Sequence, residues 1–454
     1  MTMHMTPTND GIKKYGKHFR SLVDFEREHL EAAAARDLDH IHDGQGVVTQ
    51  HMSLTAEFEL ALQSVWPAGS VPYWDYTIDS AKVAVEFGHA DISSIFKHSD
   101  LFTADFFGET DSVAHTVTEG RFSHVELHRD YNFTTKSPYG LLRAPWNINP
   151  NKFVTRYHKI CGLDTYDSNF TSKSYYDLMW PSCDLHFKYT NGDEFGSWYN
   201  WIWGISYLPH GPVHAWIGGV GGECDTFSAL ETKGYLSAEQ TLTLKHGAFA
   251  LLKQAWRSRL IETPKFCAAD TPVEDCMWTC VGQIWANPDA QMYLNKIASI
   301  PTADISKEVA VKAFCDTPFW PGDHLEAGSP AEASFWPIHP TLERLLQYKD
   351  IIRPFEDKGW VPSGAYAVDD WKACEYDGTG CDGHHAEDLT FWKVVSQGID
   401  TGEYTKSHYT NQEVREFLLP QSNTYVLPYI FDNFKWEHCD ALGVHFKSPG
   451  EKDA

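Results

Sequence analysis

The chain has 454 residues, 42% of them hydrophobic and 14% aromatic, enough to build a large core. Its 37 basic residues face 62 acidic ones, a net charge of -25 with no basic stripe to offset the field. Nucleic acid and anionic membranes are thereby excluded as partners, and no apolar run reaches the roughly 18 residues that a bilayer span needs.

Phe19 to about Asp37 reads as a helix, with Leu22, Phe25 and His29 at +3 and +4 spacing and Ala32 to Ala35 favouring helix. A loop through Asp43, Gly44 and Gly46 leads to a second helix from near Thr49, which turns His51, Leu54, Phe58, Ala61 and Val65 to one face. Pro67 and Gly69 stop it, and the aromatic segment Val71 to Thr77 follows. Residues 80 to 195 read as irregular and loop-rich. The stretch from Trp201 to Ile217 is expected to be helical in its second half, where His210 and His214 share a face. Glycines 218, 219, 221 and 222 end it.

Ser237 with Gln240 reads as a capping box that opens a helix to about Arg259. Asp304 is expected to cap a short helix through Phe314. His339 to Tyr348 is helical, with Pro340 in its first turn, and a helix over Asn411 to Leu419 fits the pattern. Without internal repeats or low-complexity linkers, one mainly α core with long loops fits better than three domains.

The cysteines are Cys161, Cys183, Cys224, Cys267, Cys276, Cys280, Cys315, Cys374, Cys381 and Cys439, an even count that permits five bridges without fixing their pairing. A zinc site from Cys267, Cys276 and Cys280 is the lesser reading beside structural disulfides. Asn132-Phe-Thr and Asn169-Phe-Thr are glycosylation sequons. Together with the cysteines they point to a secreted or extracellular glycoprotein, although Met1 to Asp10 is polar and lacks the apolar stretch of a signal peptide.

Six histidines carry the chemistry: His29, His42 and His51, then His210, His214 and His339. A buried imidazole is costly unless its nitrogens find partners. Three that converge suit a copper ion with an open coordination position. Two facing coppers can bind dioxygen and share its two-electron reduction, provided that rigid helices fix their separation. For the first ligand, His18 and His29 stand eleven residues apart on one helical face, so periodicity does not choose between them.

His42-Asp-Gly-Gln-Gly-Val-Val-Thr-Gln-His51, then Phe58-Glu59, then Pro72-Tyr-Trp-Asp75, resembles the first copper site of the type-3 copper family: tyrosinases, catechol oxidases and haemocyanins. Pro209-His210-Gly-Pro-Val-His214 resembles the start of its second site, and Phe335-Trp336-Pro-Ile-His339 resembles the signature of the last ligand. The context Asp24-Phe25 before His29 is similar to the family's first helix and favours His29 over His18. The resemblance implies an antiparallel four-helix bundle holding two copper ions, with dioxygen and a small phenol as partners. It implies a tyrosinase-like core over 1–355, with 222–325 inserted in it. Residues 356–446 would pack on or cover that core, and 447–454 would form a flexible tail.

The chain departs from the family pattern at several positions. Gln50 and Met52 flank His51 where Trp and Arg are usual, Glu332-Ala333 stands for Asp-Pro, and Glu343 replaces Asp before Arg344. His40 occupies the position where many relatives carry a cysteine linked to the second ligand. The base that takes the proton of a monophenol is missing as well, since Gly211 and Ala215 follow the second-site ligands and Trp201 stands at the family's Glu position.

The expected activity is therefore that of a polyphenol oxidase of the catechol oxidase type. It would oxidise o-diphenols or o-aminophenols to quinones, with weak or absent monophenol hydroxylation. A haemocyanin-like oxygen carrier and a full tyrosinase are the alternatives. Asp75 and Glu343 are the expected carboxylates behind the ligands, Arg344 the partner of Asp75, and Trp74 and Trp336 the walls that exclude water. Phe58, His246 and His324 read as plain core, and His384-His385 as a solvated loop. Oligomeric state is not encoded legibly.

Overall fold

Four helices carry five of the six histidines: α1 (Leu22–Ala33) His29, α2 (Val47–Val65) His51, α3 (His210–Gly218) His210 and His214, and α4 (Ile338–Ile352) His339. The computed structural model describes residues 1–87, 92–164, 178–360, 381–398, 400–422, 426–431 and 433–450, and it is mainly α. Helix α1 is shorter than its sequence suggests. It ends at Ala33, and beyond it the side chain of Asp39 accepts the backbone N–H groups of Ile41 and His42. That local hydrogen bonding competes with continued helix.

Helix α2 is buried nearly all round over its first half and packs against α4. The segment before residue 77 is pinned to α4: the Trp74 N–H donates to the Pro337 carbonyl and the Thr341 hydroxyl to the Trp74 carbonyl. Arg344 pairs with Asp75 at 3.0 Å, as its sequence context suggested.

Residues 80 to 195 are less irregular than expected, with helices at Tyr76–Phe87, Ile92–His98 and Cys183–Asn191, the last capped by Ser182. The aromatic run is also helical in both halves, because Ser197 caps a Trp198–Tyr207 helix ahead of α3. Between 102 and 160 the chain has no helix. Five of its backbone carbonyls accept from two buried guanidinium groups. Arg143 donates to Asn149, Asn151 and Phe153 and pairs with Asp323; Arg156 donates to Phe107 and Gly108 and pairs with Glu332.

Within 222–325 the Ser237 capping box is present, but the helix breaks at Gly247 into Ala238–His246 and Ala248–Arg257. A Cβ at Gly247 would lie 2.3 Å from Ile297, so the chain needs glycine there. Ser306, not Asp304, caps the Lys307–Phe314 helix; Asp304 ends the preceding 3-10 turn, Thr302–Asp304.

Disulfides join Cys161–Cys224, Cys183–Cys439, Cys267–Cys276 and Cys280–Cys315. They remove the zinc reading of the middle cysteines. Cys381 is also bridged, while Cys374 and the sequon at Asn169 lie outside the described residues. Beyond α4, Thr410 caps the Asn411–Leu418 helix with a capping box. The Asn411 amide oxygen accepts from Thr49 and Gln50 of α2, so Gln50 serves to dock this later segment. His384 is not solvated: it is buried, accepts the Gly46 N–H and hydrogen-bonds the Asp39 carbonyl.

Candidate metal centre

His29, His42 and His51 converge with one nitrogen each within 4.8 Å of the others, and His210, His214 and His339 do the same. The two groups face each other: the His51 ring stacks on that of His339 at 4.0 Å and lies 6.4 Å from that of His210. His18 lies on a turn before α1 and joins neither group.

Each ring but one is aimed by a hydrogen bond from Nδ1. His51 donates to the Val47 carbonyl and His210 to that of Ser206, each one turn back on its own chain. His29 donates to Ala327 at 2.7 Å and His214 to His324 at 3.0 Å, across the molecule. A carbonyl only accepts, so the proton sits on Nδ1 and the lone pair on Nε2. His42, the one of the six on a loop, faces the Asp39 carboxylate at 3.1 Å. His339 instead relies on its stack with His51.

Neither Asp75 nor Glu343 touches any of the six. Asp75 holds Arg344 and Thr77, and Glu343 accepts from the Tyr429 hydroxyl. Backbone carbonyls and Asp39 do the work expected of those two carboxylates.

The residues fit a metal. The Nε2 atoms of His29, His51 and His214 are buried without a protein partner, which is costly unless something else binds them. Burial first, and then neighbouring imidazoles, push His29 down to about 3 and His51, His214 and His339 well below the ordinary value. His210 is pushed down to about 3, again chiefly by burial. Neutral imidazoles at these positions keep their lone pairs available, as metal binding requires.

Phe335 fills the gap between the groups, its ring 5.1 Å from that of His339 and 5.5 Å from that of His29. Trp336 instead stacks on Phe58, and Trp74 donates its indole N–H to Asp79. Neither tryptophan walls the site. Trp392 does so from the late part of the chain, 6.4 Å from His29 and near parallel to it. Sequence reasoning missed Phe335, Trp392 and Asp39, although Phe335 stood inside a quoted motif and Asp39 only three residues before His42.

A cavity of about 130 Å³ reaches His42, His210 and His214 and is bordered by Gly211 and Ala215. A Cβ at Gly211 would meet nothing closer than the Ser206 carbonyl at 3.7 Å, so the space beside His210 is open. Part of its wall comes from the Ala238–His246 and Ala248–Arg257 helices: His246, Phe249, Ala250 and Lys253. No described residue after 360 lines it. His246 thus belongs to the cavity wall, and His324, though buried, has its ring 4.6 Å from that of His214. Trp201 is buried elsewhere, donating to the Tyr189 carbonyl.

Residues 11–232 match the family model for the common central domain of tyrosinase. The chain carries a tyrosinase-family domain. That family binds two copper ions, and the two histidine groups are the places where the chain could hold them. Five of the six histidines fall inside the matched stretch; His339 lies beyond it. No curated protein sequence matches the chain.

Proposed function

We propose that this tyrosinase-family protein oxidises o-diphenols, or o-aminophenols, to quinones with dioxygen. His29, His42 and His51 would hold one copper, and His210, His214 and His339 the other. The pair, when bound, supplies the two-electron exchange between dioxygen and the substrate. The chain's own contribution is a dry, rigid frame: Nδ1 hydrogen bonds aim the rings, and Phe335 and Trp392 keep water from the first group. A flat aromatic ring enters beside Gly211 and packs against Phe249 and Ala250. The open cavity at Gly211 is the observation that carries this reading over that of an oxygen carrier, which has no use for a substrate path.

A second reading, monophenol hydroxylation, draws support from Glu326, a buried carboxyl on the cavity wall. Burial first, and then Asp323, push it up to about 8 against the Ala144 N–H and Arg143. Burial thus favours its protonated form near pH 7, which makes it a poor acceptor for the proton of a phenol. Diphenols need no such base, which keeps them the better substrates.

The described disulfides suit an oxidising compartment, and we read the chain as secreted. No described helix is long and apolar enough to cross a membrane. The test is copper reconstitution followed by oxygen uptake with catechol and with a monophenol at pH 7. Catechol should be consumed at least about tenfold faster. Oxygen binding without consumption of catechol would replace this reading with that of a carrier.

A further inference from the structure

His42 differs from the other five histidines in its support. It is the one not borne on a helix, its side chain is 24% exposed, and its ring faces a carboxylate rather than a carbonyl. The neighbouring His40 ring is spent on the Asp382 carbonyl, so the loop needs another means of holding His42 in register.

That means comes from the inserted region. Lys253, on the Ala248–Arg257 helix, is buried and places its ammonium 2.9 Å from Asp39 and 2.6 Å from Asp43. Arg257, one turn later, lies 3.6 Å from Asp39 and donates to the Ala33 carbonyl at the end of α1. Asp39 divides its oxygens: Oδ2 takes Lys253, while Oδ1 takes the His42 backbone N–H at 2.8 Å and faces His42 Nδ1 at 3.1 Å. The Asp39 carbonyl is fixed in turn by His384. A buried carboxylate without its ammonium would be expensive. The lysine therefore holds Asp39 still, and Asp39 sets both the backbone and the ring of His42.

We propose that Lys253 and Asp39 are positioning residues for His42, a built-in clamp by which the inserted region sets the first copper site. The proposal rests on the reading of His42 as a copper ligand. Removing a partner behind a ligand imidazole weakens metal affinity by about 10- to 100-fold. The loss should fall on the first site alone, because no hydrogen bond or ion pair of the clamp reaches His210, His214 or His339.

The full chain loaded with copper is titrated with a cuprous chelator, and the oxidised samples are read by electron paramagnetic resonance. Asp39→Asn keeps an acceptor for the backbone N–H groups but loses the charge; Lys253→Met loses the ammonium and Lys253→Arg keeps a cation. Wild type and Lys253→Arg should hold two coppers, silent by magnetic coupling. Asp39→Asn and Lys253→Met should give up one copper at about 10- to 100-fold lower chelator and show the signal of the single ion left behind. Two coppers kept at the wild-type chelator level in both variants, or two lost together, would overturn the proposal. So would loss of the folded circular dichroism spectrum in both variants while copper-free wild type stays folded, since the clamp would then merely hold up the chain. If wild type itself never binds two coppers, it is the ligand assignment that fails instead.

Discussion

Arg156→Met tests how the segment bearing His339 is held. Both groups of the Arg156–Glu332 pair are about 1% exposed, and the guanidinium meets the carboxylate through two nitrogens at 2.5 and 2.6 Å. Glu332 also accepts the Ser334 N–H, so it anchors the turn that delivers Phe335 to the centre. Burial opposes its charge, yet Arg156 holds the carboxyl down to about 2 from an ordinary 4.5. A shift of that size is worth about 3 kcal/mol, in line with the roughly 3–5 kcal/mol for breaking one side of a buried ion pair. Because the folded value is depressed, this stability is present above about pH 4.5 and is lost as pH falls toward about 2. Urea unfolding at pH 7 should show Arg156→Met destabilised by about 3 kcal/mol, with the gap to wild type narrowing in acid. Adding Glu332→Gln should recover part of the loss, since a neutral amide is cheaper to bury unpaired than a carboxylate. A gap under about 1 kcal/mol at pH 7, or one that does not change in acid, would refute the argument.

Three further outcomes follow from packing and space. His214→Ala should reduce bound copper from two atoms per chain to one, measured by metal analysis, and abolish oxygen-dependent absorption; an unchanged copper content would remove His214 from the ligand set. Phe335→Ala empties a site 1% exposed between the two groups and should cost about 3–5 kcal/mol in unfolding free energy. Gly211→Leu should fold normally, because only the Ser206 carbonyl lies within 4 Å of the new Cβ, and should raise KM for catechol by narrowing the cavity; an unchanged KM would mean that substrate enters elsewhere.

The histidine groups were legible because helical spacing is a local property. His210 and His214 are one turn apart, and the residues around His42–His51 and His339 carry recognisable neighbours. The Ser237 capping box was legible for the same reason, needing only Gln240 three residues on. The partners of the rings were not. Val47, Ser206, Ala327 and His324 act through carbonyl oxygens, which every residue possesses, so side-chain identity carries no trace of the role. Searching for carboxylates led to Asp75 and Glu343, whereas the one carboxylate in use, Asp39, sat in the short turn Asp39-His40-Ile41-His42. His384 and Trp392 reach the first site from more than 300 residues away in sequence, beyond any local pattern.

The two of those ring hydrogen bonds that span the most sequence tie the histidines to backbone outside their own signatures. The carbonyls of His324 and Ala327 orient one ring in each histidine group, His214 in the second and His29 in the first. Both belong to a short run of turns over residues 323–331, fixed by Asp323 on Arg143 and by the Ala144 N–H on Glu326. Lys253, on the Ala248–Arg257 helix, reaches the loop of His42. The aim of both metal groups thus passes through backbone that the histidine signatures do not contain. A chain trimmed to those signatures would keep its ligands but lose what points them.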